Sequence, residues 1–433
     1  MANAFYTYPA MLEFSCIGDQ CEDTCCQSWD IRFDKHHYIL LQTCVEQDSD
    51  QKQLFEKYVR LLEEGDDKNY ALVTLNDKGV CPFLDTTGWC ELHKHYGVAP
   101  LSNVCAFYPR VISQYDNRYE VAGALSCPEV ARQTLLGDKS FRIVEMSADL
   151  LPRPDDFPVT RRITDIENDD YLEHFPEVRQ SFLQLIADEA YPFETRLFAL
   201  SSLANNLSAF YFENCSNLNQ QTLQKELNKF LLEDGLDNIQ SYISEYAPDA
   251  PLAMIVVQAV LRLRLQQFPD ESLSKLIAAV FALYESSMAE QPELYGGNIP
   301  PDILSQTYQR NANLLAERYP VLLEQVFSRY VQNCLFREWF VSMPNPFVYV
   351  HMLTIRIAML KFLVMSHPQI LAVLQQQRDT ADEEEQVQKY VIDVFYQFSR
   401  AIDHNMNFLQ VVYNAIAEQD MMSFDYALPF IKF

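Results

Sequence analysis

A mainly α-helical chain is predicted, opening with a cysteine-rich metal-binding domain that holds little β structure and continuing as an all-α domain. Three observations predict it. Nine of the eleven cysteines lie between residues 16 and 127, and eight of these, all but Cys44, form the candidate ligand set. Three prolines interrupt the polar run LPRPDDFPVT at 151–160. Beyond that run, apolar residues recur at steps of three and four, the period of an amphipathic helix. Proline removes a backbone donor and blocks helix. The chain therefore divides into a cysteine-rich domain over 1–150, a linker over 151–160 and a helical domain over 161–433.

Taken in order, residues 34–63 place Tyr38, Leu41 and Val45, then Leu54, Tyr58 and Leu61, at helical spacing. Ala71–Leu75 reads as a short strand, ended by the Asn-Asp-Lys-Gly turn at 76–79. Cys81-Pro-Phe-Leu84 and the Asp85–Gly88 turn read as a second strand or as a loop wrapped on a metal. A short helix over 90–97 stops at Gly97. Val111–Ser113 and Tyr119–Leu125 are set to pair as a hairpin about Asp116-Asn117, and Cys127-Pro128 opens a helix running to Leu136, with proline in its first turn. In the helical domain, Val178, Phe182, Leu185 and Ile186 share a face, as do Leu223, Leu227, Phe230 and Leu231, and Leu273, Leu276, Ile277, Val280 and Tyr284. Residues 252–265 are apolar on most sides and read as a central buried helix. Residues 347–365 come nearest to a membrane span, but His351, Arg356 and Lys361 oppose one and favour a core helix. The acidic run at 378–385 reads as an exposed linker or helix start.

Composition narrows the function. The formal net charge is −27, from 60 acidic and 33 basic residues, which disfavours a nucleic-acid backbone and suits a basic partner. Hydrophobic residues make up 48% of the chain, enough for a folded globule. The N-terminal residues show no basic and apolar pair of regions of a secretory signal, so a cytoplasmic setting is expected. Glycine is scarce, ten in 433, and no glycine-rich turn of a doubly wound nucleotide-binding domain is present.

In a reducing compartment, clustered cysteines more often bind metal or react than form disulfides. The eight are Cys16, Cys21, Cys25, Cys26, Cys81, Cys90, Cys105 and Cys127. Adjacent side chains such as Cys25 and Cys26 diverge, so they are expected to serve different ligand sets, or only one to ligate. His93 and His95 keep a mixed zinc site open; four thiolates at looser spacing suit an iron–sulfur cluster. Cys21-x3-Cys25 begins the three-cysteine pattern of radical enzymes that cleave S-adenosylmethionine, but Ser28 stands at the third position, so radical chemistry is not expected.

The segments FSCIGDQCEDTCCQSWDIRFDKHHY, CPFLDTTGWCELHKHYG, LSNVCAFYPR and LSCPEVAR resemble, in order and spacing, the flagellin lysine-N-methylase family. The N-terminal part is also similar to small cysteine-rich domains that chelate zinc or iron. Asn333–Glu338 (NCLFRE) and Phe398–Asn405 (FSRAIDHN) extend the resemblance over nearly the whole chain. It implies methyl transfer from S-adenosylmethionine to flagellin lysines by a protein with a cysteine-ligated centre, a 4Fe–4S cluster favoured over zinc, with no nucleic-acid or membrane partner. Two other readings are a metal-dependent adaptor for a basic partner and a redox sensor.

The residues offer few groups for that chemistry. Arg110, in the Tyr108-Pro109-Arg110 run behind Cys105, has the fork to hold the donor's carboxylate, and Tyr108 lies beside it. Arg400 and His404, four apart with Asp403 between them, share a helix face and suit a proton path. Each has a bland alternative: Arg110 bracing the metal loops, and a buried polar network for Arg400, Asp403 and His404.

Overall fold

The structure is a computed structural model that describes residues 3–27, 29–167, 172–214, 219–232, 234–246, 250–269, 271–285, 301–376 and 380–433. Contacts divide the chain into two units: Met1–Gln133 with Arg142–Asp165, and Thr134–Phe141 with Ile166–Phe433.

The first unit contains β1 (Ala4–Thr7), α1 (Pro9–Glu13), β2 (Ile31–Phe33), α2 (Lys35–Val45), α3 (Ser49–Tyr58), β3 (Val59–Leu61), β4 (Ala71–Val73), α4 (Glu91–Tyr96), α5 (Asn103–Phe107), β5 (Arg110–Tyr115) and β6 (Arg118–Gly123). It continues through the start of α6 (Pro128–Leu136), β7 (Val144–Met146) and β8 (Arg161–Arg162). The strands form a five-stranded sheet in the order β7-β1-β6-β5-β8 and a three-stranded sheet in the order β2-β4-β3. The expectation of little β is therefore corrected. The cause is length: strands of two to four residues are too short to show alternation. They exist because partners far along the chain complete their ladders, as when Phe5 pairs in parallel with Tyr119.

Local signals did fix several elements. β5 and β6 form the expected hairpin, with Asp116 in the left-handed region at φ 50°. Helix α4 stops at Gly97, φ 71°. Asp34 caps α2 by accepting from His37 N, and Asp48 caps α3. One core joins the sheets and helices, with Ile31, Phe33, Leu41, Phe55, Phe83, Ile112 and Val121 all buried. Residues of the 151–160 run pack on it: Phe157 meets Phe5 and Tyr119 edge-on, and Thr160 N donates to Ile112 O over 2.7 Å.

Gly18 is a tight point. Its φ is +58°, and a Cβ there would fall on the Trp89 ring. Gly18→Ala is expected to cost about 1–2 kcal/mol in backbone strain alone, and more for displacing Trp89. Urea denaturation followed by tryptophan fluorescence checks both effects.

Among its described residues the second unit is built from helices: the end of α6, then α7 (Phe175–Ala187), α8 (Phe193–Asn214), α9 (Gln220–Leu231), α10 (Gly235–Glu245), α11 (Ala250–Gln267), α12 (Ser272–Glu285), α13 (Pro301–Arg318), α14 (Pro320–Arg337), α15 (Pro346–Met365), α16 (Pro368–Leu374), α17 (Thr380–Phe398), α18 (Met406–Glu418) and α19 (Ala427–Ile431). Arg378 and Asp379 of the acidic run lie outside the described residues; from Thr380 the run opens α17.

Helix α15 organises this unit. It is long and apolar enough to cross a membrane, with mean hydropathy 1.7, yet every residue is buried, against α8, α11, α13, α17 and α19. Its polar side chains are tolerated because each meets a partner. Lys361 Nζ donates to Glu194 Oε1 at 3.0 Å and Ile431 O at 2.9 Å, and His351 Nε2 lies 3.0 Å from Met421 O. The helix read as central, α11, is less enclosed: Ile255 is half exposed.

Candidate functional site

The strongest concentration of buried charge lies where α14, α15 and the end of α17 meet. Tyr330, Cys334 and Arg337 recur on one face of α14, and Tyr349 and Arg356 stand seven apart on α15. Glu338 ends α14 in extended conformation, its N–H donating to Cys334 O at 2.7 Å. After α17 the chain widens into a π-helical turn over Ser399–Asp403, closed by His404 N donating to Ser399 O at 3.1 Å. Such turns re-aim side chains; here Asp403 is buried in the interior.

The groups interlock. The Arg356 guanidinium forks onto Glu338, Nη1 to Oε1 at 3.0 Å and Nη2 to Oε2 at 2.8 Å. Its Nη1 also reaches Asp403 Oδ1 at 3.1 Å, where the Tyr330 hydroxyl donates at 2.9 Å. Arg337 donates to Glu338 Oε1 at 2.6 Å, and Tyr349 to Oε2 at 3.3 Å. Two cations balance two carboxylates. Asp403 Oδ2 accepts no hydrogen bond, and Arg337 Nη2 stands 3.8 Å from it.

Burial works against the Arg356 charge, yet its neighbours, Glu338 foremost, hold it well above its ordinary pKa. Burial first, then Asp403, pushes Tyr330 well up, and burial then Glu338 does the same to Tyr349. Both phenols stay protonated. His404 caps the turn at an exposed position; desolvation by surrounding protein first, then Arg337, lowers its pKa, so it stays neutral near pH 7. Arg400 is half buried, its guanidinium 5.6 Å from the Tyr396 ring.

Sequence reasoning reached Arg400, Asp403 and His404 but missed Arg356, Tyr330 and Tyr349. Arg356 was legible only as a charge inside an apolar helix. Such a charge calls for a buried acidic partner, and nothing local names Glu338 or Asp403.

The thiols behave otherwise than expected. The described cysteines are free, and Cys215 lies outside the described residues. Among the described residues, no three cysteine sulfurs come within 4.8 Å of one another; the metal-type donors that do are His36, His37 and Asp156. The cysteine-ligated centre, 4Fe–4S or zinc, expected from Cys16, Cys21, Cys25, Cys26, Cys81, Cys90, Cys105 and Cys127 is therefore corrected. With it falls the cysteine-rich metal domain.

The backbone brings several of these cysteines near one another without placing three sulfurs at one point. Cys81 N bonds Cys26 O, Cys90 bridges to Leu84, Cys105 sits in α5 and Cys127 precedes α6. Cys25 and Cys26 do not diverge into separate sets; a hydrogen bond between them, then burial, raises the Cys26 pKa. Burial pushes Cys81 up to about 11 and Cys127 up to about 12. His93 is exposed, and His95 pairs with Glu91 at 3.0 Å.

Tyr108 and Arg110 belong to the first unit. The Tyr108 ring meets Trp29 edge-on at 4.9 Å and its hydroxyl lies 3.1 Å from Ser126 Oγ. Arg110 lies over the Phe14 ring at 5.1 Å; burial lowers its pKa, while Cys127 and Cys16 act the other way.

A helical domain whose interior holds a neutral, four-charge network is the class of protein defined here. Residues 179–430 match the model of the FliB lysine N-methylase C-terminal domain, and the network lies inside that span. The chain belongs to the FliB lysine N-methylase family. It is 30% identical over 130 residues to the lysine-N-methylases of Salmonella typhimurium and Salmonella choleraesuis, a stretch covering 30% of this chain and 32% of each of those proteins. The match thus spans about a third of the length of those relatives. The flagellar biosynthetic protein FliU of Salmonella muenchen is 30% identical over 130 residues, 76% of its length. No solved structure matches.

Proposed function

We propose that this chain transfers methyl groups from S-adenosylmethionine to lysine side chains of a flagellin-type protein. One observation carries the reading: the two motifs of the family resemblance, Asn333–Glu338 and Phe398–Asn405, supply Arg337, Glu338 and Asp403 to a single buried network inside the matched domain. Buried charges are costly, and a set retained in a helical core is a functional-site candidate.

The donor supplies an electrophilic sulfonium methyl. Its methionine end carries an ammonium and a carboxylate, and the residue types fit: Asp403 Oδ2 is an open acceptor and Arg337 a guanidinium beside it. The target amine must be neutral to attack, whereas free lysine has a pKa of about 10.4. In the transfer the lysine nitrogen bonds the methyl carbon, the carbon–sulfur bond breaks and one proton leaves the nitrogen. That proton passes to solvent water; burial and then Arg337 lower the His404 pKa and make it a weak base, so it is left out of the proton path. The net charge of −27 favours approach of a lysine-bearing partner.

Intact-mass measurement of unmethylated flagellin, incubated with the chain and donor, should show steps of one added methylene unit. Flagellin that gains no mass while circular dichroism shows the chain folded overturns the proposal.

A further inference from the structure

His36 and His37 stand in the first turn of α2, and Asp156 comes from the 151–160 run. A ring nitrogen from each histidine and a carboxylate oxygen lie within 4.8 Å of one another. His37 is buried, while His36 and Asp156 are exposed, so the group is open to solvent on one side.

The surroundings of His37 give it a direction. Its Nδ1 lies 2.6 Å from Asp34 Oδ2. Asp34 is itself held by His37 N at 2.9 Å and Asn103 Nδ2 at 3.1 Å. An ionised carboxylate here favours the ring proton on Nδ1 and leaves Nε2, 3.0 Å from Asp156 Oδ2, as the ring's acceptor nitrogen. A carboxylate behind one ring nitrogen with the other facing donors is how proteins orient metal-binding imidazoles.

We propose that His36, His37 and Asp156 bind a divalent first-row transition-metal ion, with Asp34 orienting His37. Imidazole and carboxylate suit such ions, and three protein ligands leave coordination positions for water. Arg153 is the competitor. Its Nη1 contacts His37 Nε2, and the guanidinium also donates to Leu101 O at 3.3 Å and Ala99 O at 3.4 Å and contacts Asn103 Oδ1. Those other acceptors can hold Arg153 once the histidine is released, so ion and guanidinium contend for one lone pair. The site uses no thiol and is independent of the methyl-transfer reading.

The test is titration of the full chain with cobalt(II) alone, followed by visible absorption. Nitrogen and oxygen ligands give weak visible bands without intense thiolate charge-transfer bands. One equivalent should bind in this way. Asp34→Asn preserves a good helix cap and should weaken binding about 10–100-fold. His36→Ala, at an exposed position, should weaken it while leaving the fold intact, and Arg153→Met should tighten it. No bound cobalt, thiolate bands alone, or an affinity unmoved by both Asp34→Asn and His36→Ala overturns the proposal. Because the readout is binding, failure here leaves the methylation assay unaffected.

Discussion

Replacing Arg356 with methionine is expected to abolish the proposed methyl transfer and to destabilise the helical unit by about 3–5 kcal/mol. The arginine is buried and forks onto Glu338 while reaching Asp403, so its removal leaves one negative charge in excess in the core. Arg356→Lys keeps the charge but loses the fork, and should recover stability only in part. Loss of activity through unfolding is separated by the combined variant Arg356→Met, Arg337→Met, Glu338→Gln, Asp403→Asn. It removes all four charges, and replacing a whole buried ionic set can be far less costly than breaking it. That variant should regain much of the thermal midpoint and remain inactive. Wild-type methylation in a folded quadruple variant would show that the network is scaffolding and that the reaction occurs elsewhere.

Stability is expected to fall as pH drops from about 6.5 toward 4. Burial lowers the pKa of both His351 and His367 to about 4, against about 6.5 for an exposed imidazole. Between those values the unfolded chain binds the protons and the folded chain does not. The stabilisation is complete above about 6.5 and is lost progressively down to about 4, at roughly 3 kcal/mol per histidine. The geometry explains the resistance to protonation. His351 Nε2 faces Met421 O, but Nδ1 has no hydrogen-bond partner. His367 caps α16 through Nδ1, which accepts from Ile370 N and would lose that role when protonated. Urea midpoints measured across this range should decline in the wild type. They should decline less in His367→Asn, which keeps a capping side chain, and in His351→Phe, which suits the aromatic contacts with Phe347 and Phe430. An unchanged slope in both variants would mean that other groups set the acid limit.

The sequence by itself determined what a few neighbouring residues can decide. Asp116-Asn117 set the hairpin turn, Gly97 stopped α4, Pro128 opened α6, and the run of apolar residues from Phe347 made α15 a core helix despite three ionisable side chains. These are local choices of backbone angle and burial, and they are complete within one or two turns of chain. The motifs at 333–338 and 398–405 were likewise legible as segments, with Arg400, Asp403 and His404 singled out.

Only the tertiary structure decided which segments meet. β1 has too few residues to announce itself and exists because β6, more than a hundred residues later, completes its ladder. The cysteine spacing brought thiols near one another in sequence, but among the described residues no three sulfurs meet at one point. His37 and Asp156 became neighbours only when the 151–160 run packed on the first unit. A π-helical turn, invisible to 3.6-residue periodicity, buried Asp403 against Arg356 and left His404 at the surface. A buried charge takes its meaning from its partner, and partners forty or more residues apart are chosen by packing rather than by pattern.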